Sequence, residues 1–267
     1  MPNNKVVLSR TDDIAIITLN DPDTLNAMDT LMCEGLRAAL DEAQAPLNGY
    51  RCILLTGAGR AFSSGANLAA SAQAPAPTGP IDAGAVLESH FNPLIAQIQQ
   101  LEVPLITVVN GVAAGVGMSF ALSGDLILAA ESAYFLQAFT KIGLVPDGGA
   151  TWMLPRLIGV ARAKELSLLA EKLPAATALD WGLINRVYSD ASLMDEAMAM
   201  AKKIAHGPTA ALGMTRKLYA LSPENSLSEQ LRLERESQRI AGQNPDAEEG
   251  IRSFLQKRSP NYTGRRT

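Results

Sequence analysis

The chain has 267 residues, of which 47% are hydrophobic and 19% are charged, and its formal net charge is −4. This composition is typical of a globular protein, and the slightly acidic balance gives no electrostatic footprint for nucleic acid. No apolar run is long enough for a membrane-spanning helix and no export signal precedes the first strand, so we expect a cytoplasmic protein.

The first predicted elements are an antiparallel hairpin and a helix. Two runs rich in β-branched residues, 6–9 and 14–19, flank the turn-forming residues 10–13. A helix is predicted from an N-cap at Asn26 to Ala43, because apolar residues recur there with helical spacing.

Strands then alternate with glycine turns and helices. An apolar strand is predicted at 52–56, and the same order of strand, glycine turn and helix returns at 105–109 with 111–123 and more loosely around 125–129. Such alternation predicts an α/β fold with mostly parallel strands. The intervening segment 69–80 consists almost entirely of Ala, Ser, Gln, Pro, Thr and Gly, which predicts a mobile loop beside the site.

Strand patterns stop at about Tyr188, so we divide the chain into a core with the active site, 1–188, and a helical region, 189–267. Four helices are predicted in the second region, at 190–205, 208–221, 226–242 and 246–257. The third is highly charged around a narrow leucine stripe, which favours a subunit interface.

Two glycine-bearing segments, 61–68 and 110–117, each follow a strand-like run and lead toward a helix. This arrangement directs free backbone N–H groups at one point, where they can stabilise an oxygen anion that forms during a reaction. The glycine pairs in 57–62 and 115–120 lack the final glycine of a dinucleotide fingerprint, and 117–121 ends in alanine where a nucleophile elbow has glycine, so NAD and a serine triad are not expected. The two cysteines, Cys33 and Cys52, are too few for a zinc site or a disulfide framework, and we expect buried, inert thiols and no metal.

Four polar side chains need to be weighed as site residues. Asp147 lies in a Pro-Asp-Gly-Gly turn before a helix, where the pattern alone leaves helix capping and catalysis open. Asp125 occupies a tighter turn and is interpreted as structural. His206 stands at a helix end, where capping is favoured. His90 follows the predicted loop and faces either the pocket or solvent.

Three segments, 61–68, 109–117 and 143–149, together resemble the crotonase (enoyl-CoA hydratase/isomerase) superfamily, and the resemblance spans nearly the whole chain. It implies a spiral of repeated ββα units with C-terminal helices that assemble homotrimers or homohexamers. It also implies an acyl-coenzyme A thioester as the ligand, so coenzyme A enters as substrate and no resident cofactor is expected.

By position, the resemblance assigns the oxyanion hole to the backbone N–H groups of Ser64 and Val116. It also implies a set of residues that bind coenzyme A, two of them from a neighbouring C-terminal helix. The set comprises Leu25, Asn26, Ala27, Met28, Ala61, Phe62, Ala66, Leu68, Phe254 and Lys257.

The hydratases of this superfamily use two glutamates, and this chain has Ser119 and Phe139 at those positions. Neither residue can serve as a general base, so efficient hydration is not expected. Asp147 instead matches the single acid of an isomerase subgroup that includes bacterial ring-epoxide CoA isomerases. The resemblance therefore implies an isomerase that shifts a 3-enoyl-CoA double bond to the 2-position or rearranges a ring-epoxide thioester.

Two alternatives remain open at this point. One is a lyase or hydrolase on the same scaffold, through slow hydration or attack by an aspartate on the acyl group. The other is a scaffold that binds coenzyme A thioesters without turnover.

Overall fold

The computed structural model describes residues 4–68 and 82–266, so the loop predicted at 69–80 lies outside the described residues. Within those ranges the chain forms ten strands and nine α-helices. The strands are β1 (Val6–Thr11), β2 (Ile14–Leu19), β3 (Cys52–Gly57), β4 (Ala61–Ser63), β5 (Leu105–Val109), β6 (Val112–Ala114), β7 (Leu126–Ala130), β8 (Tyr134–Leu136), β9 (Leu173–Pro174) and β10 (Arg186–Tyr188). The helices are α1 (Thr30–Gln44), α2 (Asn92–Gln99), α3 (Val116–Ala121), α4 (Ala150–Leu169), α5 (Ala175–Asp180), α6 (Leu193–Ala205), α7 (Thr209–Leu221), α8 (Leu227–Ala241) and α9 (Pro245–Leu255).

The strands form two sheets of unequal size. Six strands make the larger sheet in the order β1-β2-β3-β5-β7-β10, and four short strands make the smaller one in the order β4-β6-β8-β9. In the larger sheet every pair after the β1-β2 hairpin is parallel, as the alternation of strands and helices predicted. Strands β3 and β5 are buried along their whole length, so the centre of this sheet is the core of the molecule.

The predicted hairpin is confirmed, with β1 two residues longer than expected. All six residues of β1 pair with β2, and Asp12 makes the turn with a φ of 52°. An aspartate tolerates this left-handed backbone better than most residues, which explains why the turn closes without a glycine.

The predicted N-cap of the first helix is wrong. The cap of α1 is Asp29, whose carboxylate accepts a hydrogen bond of 2.9 Å from the N–H of Met32. Asn26 is fully buried three residues earlier, and its side-chain amide donates to the carbonyl oxygens of Ala58 and Ala61 at 2.9 and 2.8 Å. Asn26 therefore joins two turns of the core and does not begin a helix.

Both cysteines lie in the core, as predicted. Burial raises the pKa of Cys33 and of Cys52 to about 12. A thiol with such a pKa is protonated at neutral pH, so neither residue is a nucleophile in the folded protein.

The C-terminal helices agree closely with the predicted ranges, and α7 is fixed to the core by one arginine. The buried Arg216 guanidinium pairs with Asp125 at 2.7 Å and donates to the carbonyls of Ile98 and Leu101. Asp125 also accepts from the N–H of Leu105 at 2.8 Å. The structural interpretation of Asp125 is thus confirmed.

The proposed boundary at 188 and 189 coincides with the end of the last strand, but α6 packs on the larger sheet through buried alanines. Helix α8 has no buried residue, and its Leu227 and Leu231 are 76% and 55% exposed. The subunit interface assigned to this helix stays a prediction. None of the described helices is both long and apolar enough to cross a membrane.

Candidate active site

The smaller sheet brings the two glycine segments together. Strands β4 and β6 pair in parallel, so the chain leaves both strands at the same edge. There Gly65, with a φ of 96°, is so close to the second segment that an added Cβ would lie 2.8 Å from the carbonyl oxygen of Ala114. A Cβ on Gly115 would lie 3.8 Å from the Cα of Gly65. Only glycine fits this crossing, and its close approach places the two segments side by side.

The second segment offers a free backbone donor at Val116. Gly115, with a φ of 52°, is the N-cap of α3, and Val116 is the first helical residue. The first N–H groups of a helix have no acceptor within the helix. In the described part of the chain no acceptor bonds the N–H of Val116 either, which agrees with the role predicted for it.

The predicted donor of the first segment, Ser64, is contradicted by its hydrogen bonds. Its N–H donates to the carbonyl of Leu25 at 2.9 Å, and its hydroxyl donates to the carbonyl of Thr24 at 3.0 Å. The hydrogen assigned to the oxyanion hole is therefore already bound within the protein. Two residues later, the N–H of Ala66 has no acceptor among residues 4–68 and 82–266.

The geometry around Ala66 explains why its N–H is free. Ala66 forms a single parallel bridge with Met28, in which Met28 donates to the carbonyl of Gly65 and Asn67 donates to Met28. These two hydrogen bonds use the carbonyl before Ala66 and the N–H after it, so the N–H of Ala66 itself faces away from Met28. In both segments the free amide belongs to the residue directly after a glycine of positive φ. This shared position after the glycine is the sequence signal that could have identified Ala66.

Asp147 lies in the turn before α4, and this turn packs on the helix that carries the second donor. Gly148 and Gly149 both have positive φ, and the N-cap of α4 is Gly149, without a side-chain hydrogen bond. The capping alternative for Asp147 is therefore wrong. An added Cβ on Gly148 would lie 3.1 Å from Val116 Cγ2 and 2.8 Å from Ser119 Cβ, so this turn packs directly on α3.

The Asp147 carboxyl group is set up to exchange protons near neutral pH. Its Oδ1 is buried and has no hydrogen-bond partner within the described ranges. Burial raises the pKa of Asp147 from the ordinary 3.8 to about 6. A desolvated carboxylate with no partner is a stronger base than a solvated one, and a perturbed pKa of this kind is typical of a functional acid.

The two positions where hydratases have glutamates are both buried. Ser119 is fully buried and its hydroxyl donates to the main-chain carbonyl of Asp147 at 2.9 Å. Phe139 Cζ lies 3.9 Å from the position of a Cβ on Gly115, so its ring forms an apolar wall at the second segment. These side chains supply no second acid.

The turn predicted to bind coenzyme A, 25–28, lies against the first segment. Its first two residues have φ values of 58° and 56°, and Met28 bridges Ala66. Leu25 is half-buried, whereas Ala27 and Met28 are buried. The turn and the first segment are therefore in direct contact.

Other members of the predicted binding set take different places. Asn26, Ala61 and Phe62 have no exposed surface, so they lie beneath the surface on which a ligand would bind. Leu68 is half-exposed at the end of the described segment. Phe254 is 82% exposed and Lys257 follows it after the end of α9, so their predicted contribution from a neighbouring helix stays a prediction.

Neither histidine joins the carboxylate. His206 Nδ1 donates to the carbonyl of Lys202 at 2.6 Å, which confirms the capping interpretation. His90 is half-buried in the π-helical turn Leu87–Phe91, where its Nδ1 lies 2.7 Å from Ser89 Oγ. Residues 4–68 and 82–266 contain no group of three His, Cys, Asp or Glu residues that could hold a metal ion.

Comparison with known proteins identifies the family. The family model described as Enoyl-CoA hydratase/isomerase matches residues 9–265. The 1,2-epoxyphenylacetyl-CoA isomerase of Escherichia coli K12 is 44% identical over 253 residues, which cover 94% of this chain and 95% of that protein. The 2,3-dehydroadipyl-CoA hydratase of the same organism is 31% identical, and the match covers 98% of this chain and 100% of that protein.

Solved structures agree with the sequence relatives. The enoyl-CoA hydratase of Bacillus anthracis has a TM-score of 0.89 to this chain at 30% identity, covering 98% of this chain and 100% of that one. The predicted spiral fold with C-terminal helices is therefore confirmed. Since both the sequence match and the shared fold extend over almost its full length, this chain belongs to the enoyl-CoA hydratase/isomerase family.

Proposed function

We propose that the chain is an acyl-CoA isomerase in which Asp147 is the single acid and base. The substrate is a 3-enoyl-CoA that becomes a 2-enoyl-CoA, or a ring-epoxide CoA thioester that rearranges. The observation that carries the proposal is a buried Asp147 carboxylate oxygen without a hydrogen-bond partner in the described residues, next to Gly148, which packs against the Val116 side chain.

In the double-bond shift, the Asp147 carboxylate removes a proton from C2 of the thioester. The electron pair of that C–H bond moves toward the carbonyl, whose oxygen becomes the negative end of a dienolate. The carboxyl group then returns the proton at C4, and the double bond moves into conjugation with the thioester. One acid is enough because no water is added, and the apolar Phe139 wall supports this reading by excluding solvent.

The oxygen anion would be held by the N–H groups of Ala66 and Val116. Both are free of acceptors in the described chain, and the two segments are in contact at Gly65 and Gly115. Ala66 replaces Ser64 in this proposal because the Ser64 N–H is bound to Leu25. Donors fixed in this way stabilise the charge without reorganising.

A hydratase-type lyase is the second candidate, because a relative at 31% identity is named as a 2,3-dehydroadipyl-CoA hydratase. The closer agreement with a 1,2-epoxyphenylacetyl-CoA isomerase at 44% identity and the absence of glutamate at positions 119 and 139 favour isomerisation. An acyl-CoA hydrolase and a CoA-binding scaffold without turnover are further outcomes that the same experiment detects. Assembly as a homotrimer or homohexamer belongs to this proposal as well.

The proposal is tested with 2-enoyl, 3-enoyl and aromatic CoA thioesters in water enriched in heavy oxygen, with products separated from substrate by chromatography and their masses measured. Isomerisation gives a product of unchanged mass from the 3-enoyl or aromatic substrate, without heavy oxygen. A product that has gained one water molecule indicates the lyase, and labelled free acid indicates the hydrolase. Binding without any product, and without exchange at C2 in deuterated water, indicates the scaffold.

The pH dependence of the reaction is a separate prediction. Because the base must be ionised, kcat/KM is expected to fall below an apparent pKa of about 6, well above the ordinary 3.8 of an aspartate. The rate on a 3-enoyl-CoA, measured at low substrate concentration from pH 4.5 to 8, gives this value. An acid limb centred near 4 would show that Asp147 is solvated in the working enzyme.

A further inference from the structure

Ser119 makes one contact that links two parts of the site. It lies on α3, one turn after Val116, and its hydroxyl donates to the main-chain carbonyl of Asp147 at 2.9 Å. The same carbonyl accepts the N–H of Ala150 at 3.0 Å. One helix thus carries both the free amide of Val116 and the group that holds the Asp147 turn.

Close packing against Ser119 fixes the position of the Asp147 turn. Ser119 is fully buried, and an added Cβ on Gly148 would lie 2.8 Å from Ser119 Cβ and 3.1 Å from its Oγ. Gly148 also has a φ of 58°, so both the space and the backbone require glycine. The turn therefore lies flat on Ser119.

We propose that Ser119 is a positioning residue, which fixes the separation between the Asp147 carboxylate and the Val116 amide by holding the Asp147 carbonyl on α3. This inference rests on the proposed function of Asp147 and adds a residue that does not touch the substrate. Its physical basis is that a misplacement of about 1 Å between reacting groups can lower a rate about 100-fold.

The charged groups around the turn do not account for the raised pKa of the Asp147 carboxyl group. Helix α3 presents Val116 and Ser119, which do not titrate. Lys141 on the preceding 3-10 helix and Arg156 on α4 are the charged side chains nearest in sequence, and burial is the cause that raises the pKa of Asp147. If the turn lifts away from α3, water reaches the carboxyl group and its pKa falls.

The test is Ser119→Ala, which removes the hydroxyl and leaves the helix intact. We expect kcat on the substrate identified above to fall about 10- to 100-fold with KM nearly unchanged. We also expect the acid limb of kcat/KM to move down by about half a pH unit or more, because the freed carboxyl group is better solvated. Ser119→Cys keeps the shape of the side chain with a slightly larger atom and a weaker donor, so it should give an intermediate result.

Ser123→Ala is the matched control. Ser123 is buried one turn later on the same chain segment, and its hydroxyl donates to the carbonyl of Ser119 at 2.8 Å and not to the Asp147 turn. It should lower Tm as much as Ser119→Ala does while leaving the pH profile unchanged. If the alanine variant does not fold, the cysteine variant is compared with Ser123→Ala in the same way.

The outcomes separate the inference from the proposed function. If Asp147→Asn keeps its activity, the proposed function fails. If Asp147→Asn is inactive but the Ser119 variants have the rate and the acid limb of the native enzyme, only the positioning role is wrong. The same holds if the Ser119 and Ser123 variants lose activity equally and neither moves the acid limb.

Discussion

Asp147→Asn is expected to lower kcat/KM on a 3-enoyl-CoA by about 10²- to 10⁴-fold, the usual contribution of a positioned acid or base. An amide has nearly the shape of the carboxyl group but cannot take up a proton at neutral pH. The measurement is steady-state turnover with calorimetric binding of the thioester as the control, since binding should be retained. A variant that keeps more than about a tenth of the native kcat/KM would contradict the role of Asp147.

Thermal unfolding provides a second control for the same variant. The folded pKa of Asp147, about 6, lies above the ordinary 3.8, so ionisation of this group destabilises the fold increasingly as pH rises through that window. Asparagine should therefore stabilise the protein at pH 7.5, by about 1–2 kcal/mol after allowance for partial solvation, and less at pH 5. If the variant is inactive but more stable, the loss of activity comes from the missing carboxylate and not from misfolding.

Val116→Pro is expected to lower kcat by about 10²- to 10³-fold, as removal of one oxyanion donor does in other enzymes. The substitution removes the N–H and suits the local backbone, because Val116 is the first residue of α3, where proline is favoured. Gly115 has a ψ of −132°, which is outside the α region that a following proline disfavours. The helix should form normally in this variant.

Val116→Ala is the control for the proline substitution. It shortens the same side chain but keeps the N–H, so its kcat should remain within a few-fold of the native value. If the proline and alanine variants lose activity equally, the loss comes from the side chain and the amide has no role. Circular dichroism and Tm verify that both variants are folded.

Much of the fold follows from local patterns. Residue patterns within short stretches of sequence predict the hairpin, the alternation of strands with helices and the four C-terminal helices. Asn26 is an exception, since its position suits an N-cap but its amide bonds carbonyls at Ala58 and Ala61. The partner that decides its role is distant in sequence, so no local pattern could identify it.

The site was predicted in part, for the same physical reason. Asp147 and Val116 belong to recognisable segments, and the resemblance to a known superfamily singled them out. Which amide of the first segment is free depends on Leu25, which bonds the N–H of Ser64. The raised pKa of Asp147 depends on burial against α3, which a sequence does not display.

The two amide donors follow β4 and β6, strands of only three residues, whereas the longer buried strands β3 and β5 belong to the six-stranded sheet. The longest strands of the core therefore lie away from the chemistry. Exchanging an acid for a serine or a phenylalanine beside the short strands alters which reaction is possible and disturbs few of the contacts that keep the molecule folded. Such a separation lets one architecture accommodate diverging catalysts.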